Sequence, residues 1–182
     1  MADGSQALEE VKEYLRVTST YEDDLLTLLI DAAVGYVEMT TNKTLASKSY
    51  TQYCDYFIDT IALDHSPLTS VTSINYIDTD GNSQLLSSSV YSENSASAPS
   101  EINLAYGQSW PATRDVKNAV TIVYSAGYAT WTVVPELLRQ AVKFLVGHWY
   151  MNREAASNIK IEDVPLTVNC IITKYKDTGY YI

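Results

Sequence analysis

The sequence predicts an α+β protein: a small helical bundle of about four helices from residues 1–48 and 134–182, with an antiparallel β region, residues 49–133, inserted between the second and third helices. Three observations predict it. Apolar side chains recur at three- and four-residue spacing toward both ends of the chain, the period of a helix with one covered face. Between Lys48 and Val133 the pattern becomes alternating Tyr, Val, Ile, Thr and Ser punctuated by turn residues, as half-buried strands require. The 182 residues, 46% of them apolar, suffice to bury one good core or two small ones without disulfide or metal support.

Taken in order, Leu8, Val11, Tyr14 and Leu15 make one apolar stripe among Glu9, Glu10, Lys12 and Glu13, a short first helix that Val17–Thr20 interrupts. Ser19 followed by Glu22 fits a capping box, and Glu22, Asp23 and Asp24 suit the positive end of a helix dipole. A second helix is therefore expected from Tyr21. Its apolar set, Leu25, Leu26, Leu28, Leu29, Ala32, Ala33, Tyr36 and Val37, occupies more than one face, so it is expected to be covered on two sides, one of them by another copy of the chain. Strands are expected at 49–63, 71–77, 84–90, 101–104 and 119–124. The turn Asp78–Asn82, with Gly81 for a positive φ, joins the second to the third. Residues 92–100, rich in Ser, Ala and Asn, read as a loop free to move. Pro135 suits the first position of a third helix, whose stripe is Leu138, Ala141, Val142, Leu145 and Trp149 with Arg139, Lys143 and Arg153 outside it. After a polar connection, Pro165 opens a last short helix carrying Leu166, Val168, Ile171, Ile172 and Tyr175.

Charge narrows the function. The chain carries 22 acidic against 12 basic side chains, a net charge of −10. Residues 1–48 hold −5, residues 49–133 hold −6 and residues 134–182 hold +1. Phosphate-gripping proteins need clustered Lys and Arg, and the tyrosine-rich β region offers only Arg114 and Lys117, too few for stacking on single-stranded nucleic acid. The most apolar stretch, 25–37, contains Thr27 and Asp31 and is too short to span a bilayer. No secretory signal pattern opens the sequence, so neither a membrane nor export is expected.

No chemistry-bearing motif stands out. Cys54 and Cys170 are far apart and form no CxxC pair, so they read as free thiols. His65 lies in a turn, and His148 has Asn152 where a second helical zinc ligand belongs. The acids around Gly81 fail as a calcium loop, because that register puts Tyr76 first and Ser87 twelfth. There is no nucleophile elbow, Walker loop or dinucleotide fingerprint. Neither a catalytic residue, a metal nor a cofactor is expected. Two carboxylates converging in space would escape a reading of spacing.

The order of segments resembles the head-tail connector, or adaptor, family of long-tailed bacteriophages and gene transfer agents. Four stretches carry the resemblance: Leu8-Glu9-Glu10-Val11-Lys12-Glu13-Tyr14-Leu15 followed by 23–33; Ser109-Trp110-Pro111-Ala112-Thr113-Arg114; Tyr124-Ser125-Ala126-Gly127-Tyr128; and 134–141 running into His148-Trp149-Tyr150-Met151-Asn152-Arg153-Glu154-Ala155, the most specific of them. The resemblance implies a non-enzymatic assembly part: a homo-oligomeric, twelvefold ring in the virion neck. Portal protein lies above it and a stopper or tail-completion protein below, and double-stranded DNA passes through without specific binding.

A ring needs two different patches that meet on neighbouring copies. Leu25, Leu29 and Tyr36 on the second helix, and Arg139, Lys143 and Arg153 on the third, are the expected interface residues. The final helix with the tail Tyr180-Tyr181-Ile182 is the expected portal contact, with Tyr175 beside it. The alternatives are a tail-completion or neck protein of the same virion and, from another class, a small carbohydrate-binding or carbohydrate-active protein using the aromatic β region.

Overall fold

The computed structural model of the chain describes residues 4–152 and 166–176. It is α+β, and its Cα positions fall into two compact units: a helical unit from the chain up to Ala46 and from Ala129 to Lys176, and a β unit, Ser47–Tyr128.

The helical unit contains α1 (Gly4–Leu15), α2 (Asp23–Thr41), a 3-10 turn (Trp131–Val133), α3 (Glu136–Met151) and α4 (Leu166–Tyr175). α1 ends where Arg16 takes a φ of +58°. Val17 N–H then reaches the Lys12 carbonyl at 2.9 Å and Arg16 N–H the Glu13 carbonyl at 3.2 Å, a Schellman closure. α2 starts at Asp23, not Tyr21, with Glu22 at the N-cap and no side-chain cap bond. The expected capping box is not formed: Ser19 Oγ accepts the Tyr21 N–H at 3.1 Å, and the Glu22 carboxylate accepts the Tyr150 hydroxyl from α3 at 2.6 Å. Pro135 stands one position earlier than expected, at the N-cap of α3, and its carbonyl accepts the Leu138 and Arg139 N–H groups.

The core of this unit is Ala7 and Val11 of α1; Leu26, Ile30, Ala33, Val34 and Val37 of α2; Leu138, Ala141, Val142, Leu145 and Val146 of α3; and Val168 and Ile172 of α4, with Trp131. Trp149 is only half-buried, outside the core stripe expected of it. At Gly147 a Cβ would stand 2.9 Å from the Tyr14 ring, so the missing side chain is what lets α1 lie this close to α3. Pro165 and Arg153 lie outside the described residues.

The β unit is a sandwich of two antiparallel sheets, ordered β1-β7-β3-β4 and β2-β6-β5. The strands are β1 (Lys48–Cys54), β2 (Thr60–Ala62), β3 (Leu68–Ile77), β4 (Ser83–Leu85), β5 (Tyr91–Asn94), β6 (Glu101–Leu104) and β7 (Val120–Ala126). β7 sits between β1 and β3 and alternates strictly, Val120, Ile122, Tyr124 and Ala126 facing Ile61, Leu63, Leu68, Ile74, Leu86 and Ile102 in the core.

Three strand expectations change. The single strand over 49–63 is two, β1 and β2, in different sheets, because Asp55 leaves the ladder to accept the Asn118 N–H at 2.9 Å and the Lys117 ammonium at 2.6 Å. The strand over 84–90 shrinks to β4, since a turn closed by Val90 N–H on the Ser87 carbonyl follows buried Leu86. Residues 92–100 are not all loop: β5 pairs with β6, and Ser100 is buried, accepting Leu68 N–H at its hydroxyl and Leu63 N–H at its carbonyl.

Two turn carboxylates brace this unit. Bonds from Lys117 and then Asn118 hold Asp55 below the usual value of 3.8, and bonds from Gln84 and then Asn82 do the same for Asp78. A lowered folded-state pKa means stability present above the unfolded value and lost as pH falls through the folded one. Melting temperature should therefore fall as pH drops below about 3.8, and Asp55→Asn should flatten that dependence. An unchanged slope in pH-titrated thermal melts contradicts the assignment.

Candidate assembly surfaces

Among the described residues no group of three or more His, Cys, Asp or Glu side chains is placed to hold a metal, and no helix is long and apolar enough to cross a membrane. The His65 ring is stacked on Tyr50, ring centroids 3.8 Å apart, and the His65 backbone N–H donates to the buried Tyr124 hydroxyl at 3.2 Å. Burial pushes the Tyr124 phenol well above its ordinary range. Burial first, then Asp64 and Asp55, raises the Cys54 thiol, which opposes thiolate chemistry there. These groups are built into the β core.

The surfaces are more telling. At 3.6 residues per turn, Leu26, Ile30, Ala33, Val34 and Val37 occupy the buried arc of α2. The opposite arc carries Leu25, Leu28, Leu29, Ala32, Tyr36 and Met39, with no charged side chain among them. Leu28 is 67% and Met39 74% exposed. Leu25, Leu29 and Ala32 line an open groove of about 560 Å³ with Trp149 of α3 and Asn152, the residue that caps it. From Leu25 to Met39 the stripe runs roughly 21 Å, at 1.5 Å per residue. Scattered exposed leucines need no explanation, but a continuous apolar stripe marks a covered surface.

Two of the other expected interface residues, Arg139 and Lys143, are paired within the chain. Arg139 Nη1 lies 2.5 Å from Glu10 Oε1 of α1, and Lys143 Nζ lies 3.3 Å from Glu10 Oε2. One carboxylate thus ties α3 to α1, a role spacing could not reveal across more than a hundred residues. Glu10→Ala should cost about 1–2 kcal/mol, because two half-buried cations lose their counter-charge while water still reaches them. A change below about 0.3 kcal/mol in urea unfolding would contradict this ledger of the pair. Tyr175 is half-buried on α4; Tyr180, Tyr181 and Ile182 lie outside the described residues, as does Arg153.

A further exposed surface lies in the aromatic β region, on residues that are not among the expected interface or docking candidates. Tyr53, Tyr56, Ile58, Tyr106 and Val116 are exposed at the end of β1 and on the two loops 55–59 and 105–119. The signal was available: Tyr56-Phe57-Ile58 places three apolar residues between Asp55 and Asp59, which fits a bent loop better than a strand.

The family model for head completion proteins matches residues 6–177. The chain belongs to the head completion protein family. No curated protein matches the sequence. Among solved structures, this head completion family chain is similar to one from the neck of an empty gene transfer agent particle computed with C6 symmetry, with a TM-score of 0.75 at 23% identity, covering 94% of this chain and 89% of that one. A chain of the virion of the native gene transfer agent particle gives 0.74 at 22%, covering 94% and 89%. One from the neck of the native particle computed with C12 symmetry gives 0.71 at 22%, covering 97% and 91%. The shared fold thus spans nearly the whole of each chain.

Proposed function

We propose that this head completion family protein is a structural part of the virion neck that assembles as a ring, twelvefold, under the portal. The ring leaves a passage for double-stranded DNA and a platform for a stopper or tail-completion protein. The observation that carries this reading is the uncharged apolar arc of α2 in a chain of net charge −10. Identical acidic chains repel unless they meet on neutral surface, and this arc is neutral over its whole length. Likeness to neck chains from particles computed with C6 and C12 symmetry supports a cyclic arrangement, and a cyclic arrangement uses a heterologous interface. Leu25, Leu29 and Tyr36 form one side of that interface, with Ala32 at its centre.

The acid bias of residues 1–133 suits a channel that lets duplex slide, since phosphate is repelled rather than gripped. Duplex affinity of the assembled ring at low salt would count against this. The tail Tyr180-Tyr181-Ile182, with the final helix, is the proposed portal contact, and removing 177–182 should abolish portal attachment while sparing the fold. Electron microscopy of the protein mixed with portal rings tests the whole reading: an added annulus is expected, and portal rings that stay bare contradict it.

A further inference from the structure

The β unit carries a second surface of different chemistry from the α2 arc, and what it fits follows from its own residues. Six large apolar side chains of this unit are exposed, and all but Leu85 lie at the end of β1 or on the loops 55–59 and 105–119. These loops are one body. Phe57 lies flat on Trp110, ring centroids 4.7 Å apart and planes within 2°. Asp55 holds Lys117 and Asn118 of the second loop, and Leu104 N–H donates to the Asp59 carbonyl at 3.2 Å. With Phe57 turned inward, its neighbours Tyr56 and Ile58 face out, 63% and 48% exposed, while Tyr106 is fully exposed.

Tyr53, Tyr56 and Tyr106 alone present on the order of 450 Å² if a whole aromatic side chain offers ~200 Å², distributed over the end of β1 and the two joined loops. Because the loops are braced from within, docking there costs little ordering entropy, and tyrosine is among the residues that dominate interface energetics. The rim is acidic. Asp55, Asp59 and Asp115 stand against Arg114 and Lys117, and Arg114 packs over Gly81 of the hairpin that adds Asp78 and Asp80.

We infer that this tip docks a neighbouring neck protein of a different kind, through a surface with apolar pockets for tyrosine ringed by Lys and Arg. A second copy of the chain brings its own −10 charge, and nucleic acid or anionic lipid meets the same repulsion, so charge favours a basic protein partner. The inference rests on the neck reading above and separates from it, because the tip and the α2 arc share no residue.

The test is binding of the full chain to each of the two purified proteins that adjoin it in the neck, one on the head side and one on the tail side. Tyr56→Ser with Tyr106→Ser should weaken binding to one of them by about thirtyfold or more, and wild-type binding should weaken as salt rises. Leu85→Ser, an exposed apolar change elsewhere in the unit, should leave binding within about twofold, and the double variant should still form rings. Double-variant binding equal to wild type, no binding of wild type to either protein, or loss of rings in the double variant overturns the inference. Tip-dependent binding by a chain that forms no ring would uphold it and count only against the ring.

Discussion

Ala32→Glu is expected to abolish ring assembly while leaving the fold intact. Ala32 is exposed at the middle of the uncharged arc of α2, between Leu28 and Leu29 on one side and Tyr36 on the other, and it lines the groove shared with Trp149. In the isolated chain a glutamate there stays in water, and Glu is a good helix former, so unfolding free energy should change by less than about 0.5 kcal/mol. In a ring the same carboxylate is carried into an apolar contact with no partner, at every interface at once. Burying an unpaired charge costs several kcal/mol, so assembly should weaken by a factor of about a hundred or more. Thr27→Glu, on the solvent side of α2, is the matched control and should assemble as wild type. Light scattering at high concentration reads both. Equal assembly of the two variants would remove α2 from the interface.

The largest effect on stability is expected at Ile122. It is fully buried in β7, between Gln52 of β1 and Ile74 of β3 in the ladder, where neither sheet can close over a void. Ile122→Ala should cost about 2–5 kcal/mol, from lost burial and the cavity left behind. The adjacent Val123 points to the other face of the same strand and is only half-buried, so Val123→Ala should cost under about 1 kcal/mol. Urea unfolding followed by tyrosine fluorescence distinguishes the pair, and similar costs at both positions would mean the strand faces are misassigned.

What could be read from the chain, and what could not, divides by distance along it. The four helices and the β insertion rest on local periodicity, and the two-sided character of α2 follows from spacing alone: Leu26 and Ile30 go inward while Leu28 and Met39 stay out. Strand limits depended on remote partners. β1 ends at Cys54 because Asp55 finds Asn118, sixty-three residues on, and β5 forms within a Ser-rich stretch because β6 offers it an edge. Composition carries neither fact. Arg139 and Lys143 were legible as residues outside the α3 stripe, but their meeting with Glu10 was not. For the exposed tyrosines of the β unit, spacing leaves half-buried strand aromatics and protein-interface anchors both open, since a tyrosine on a strand and one on a braced loop look the same until the loop's anchor, Phe57 on Trp110, is known.

The most direct measurement of the central claim is a reconstruction of the particle neck without imposed symmetry. The account predicts a closed ring of copies of this chain at the head-tail junction, with the Ala32 face of each copy against its neighbour. A single copy, an open arrangement, or a ring whose α2 arcs all face solvent would contradict it.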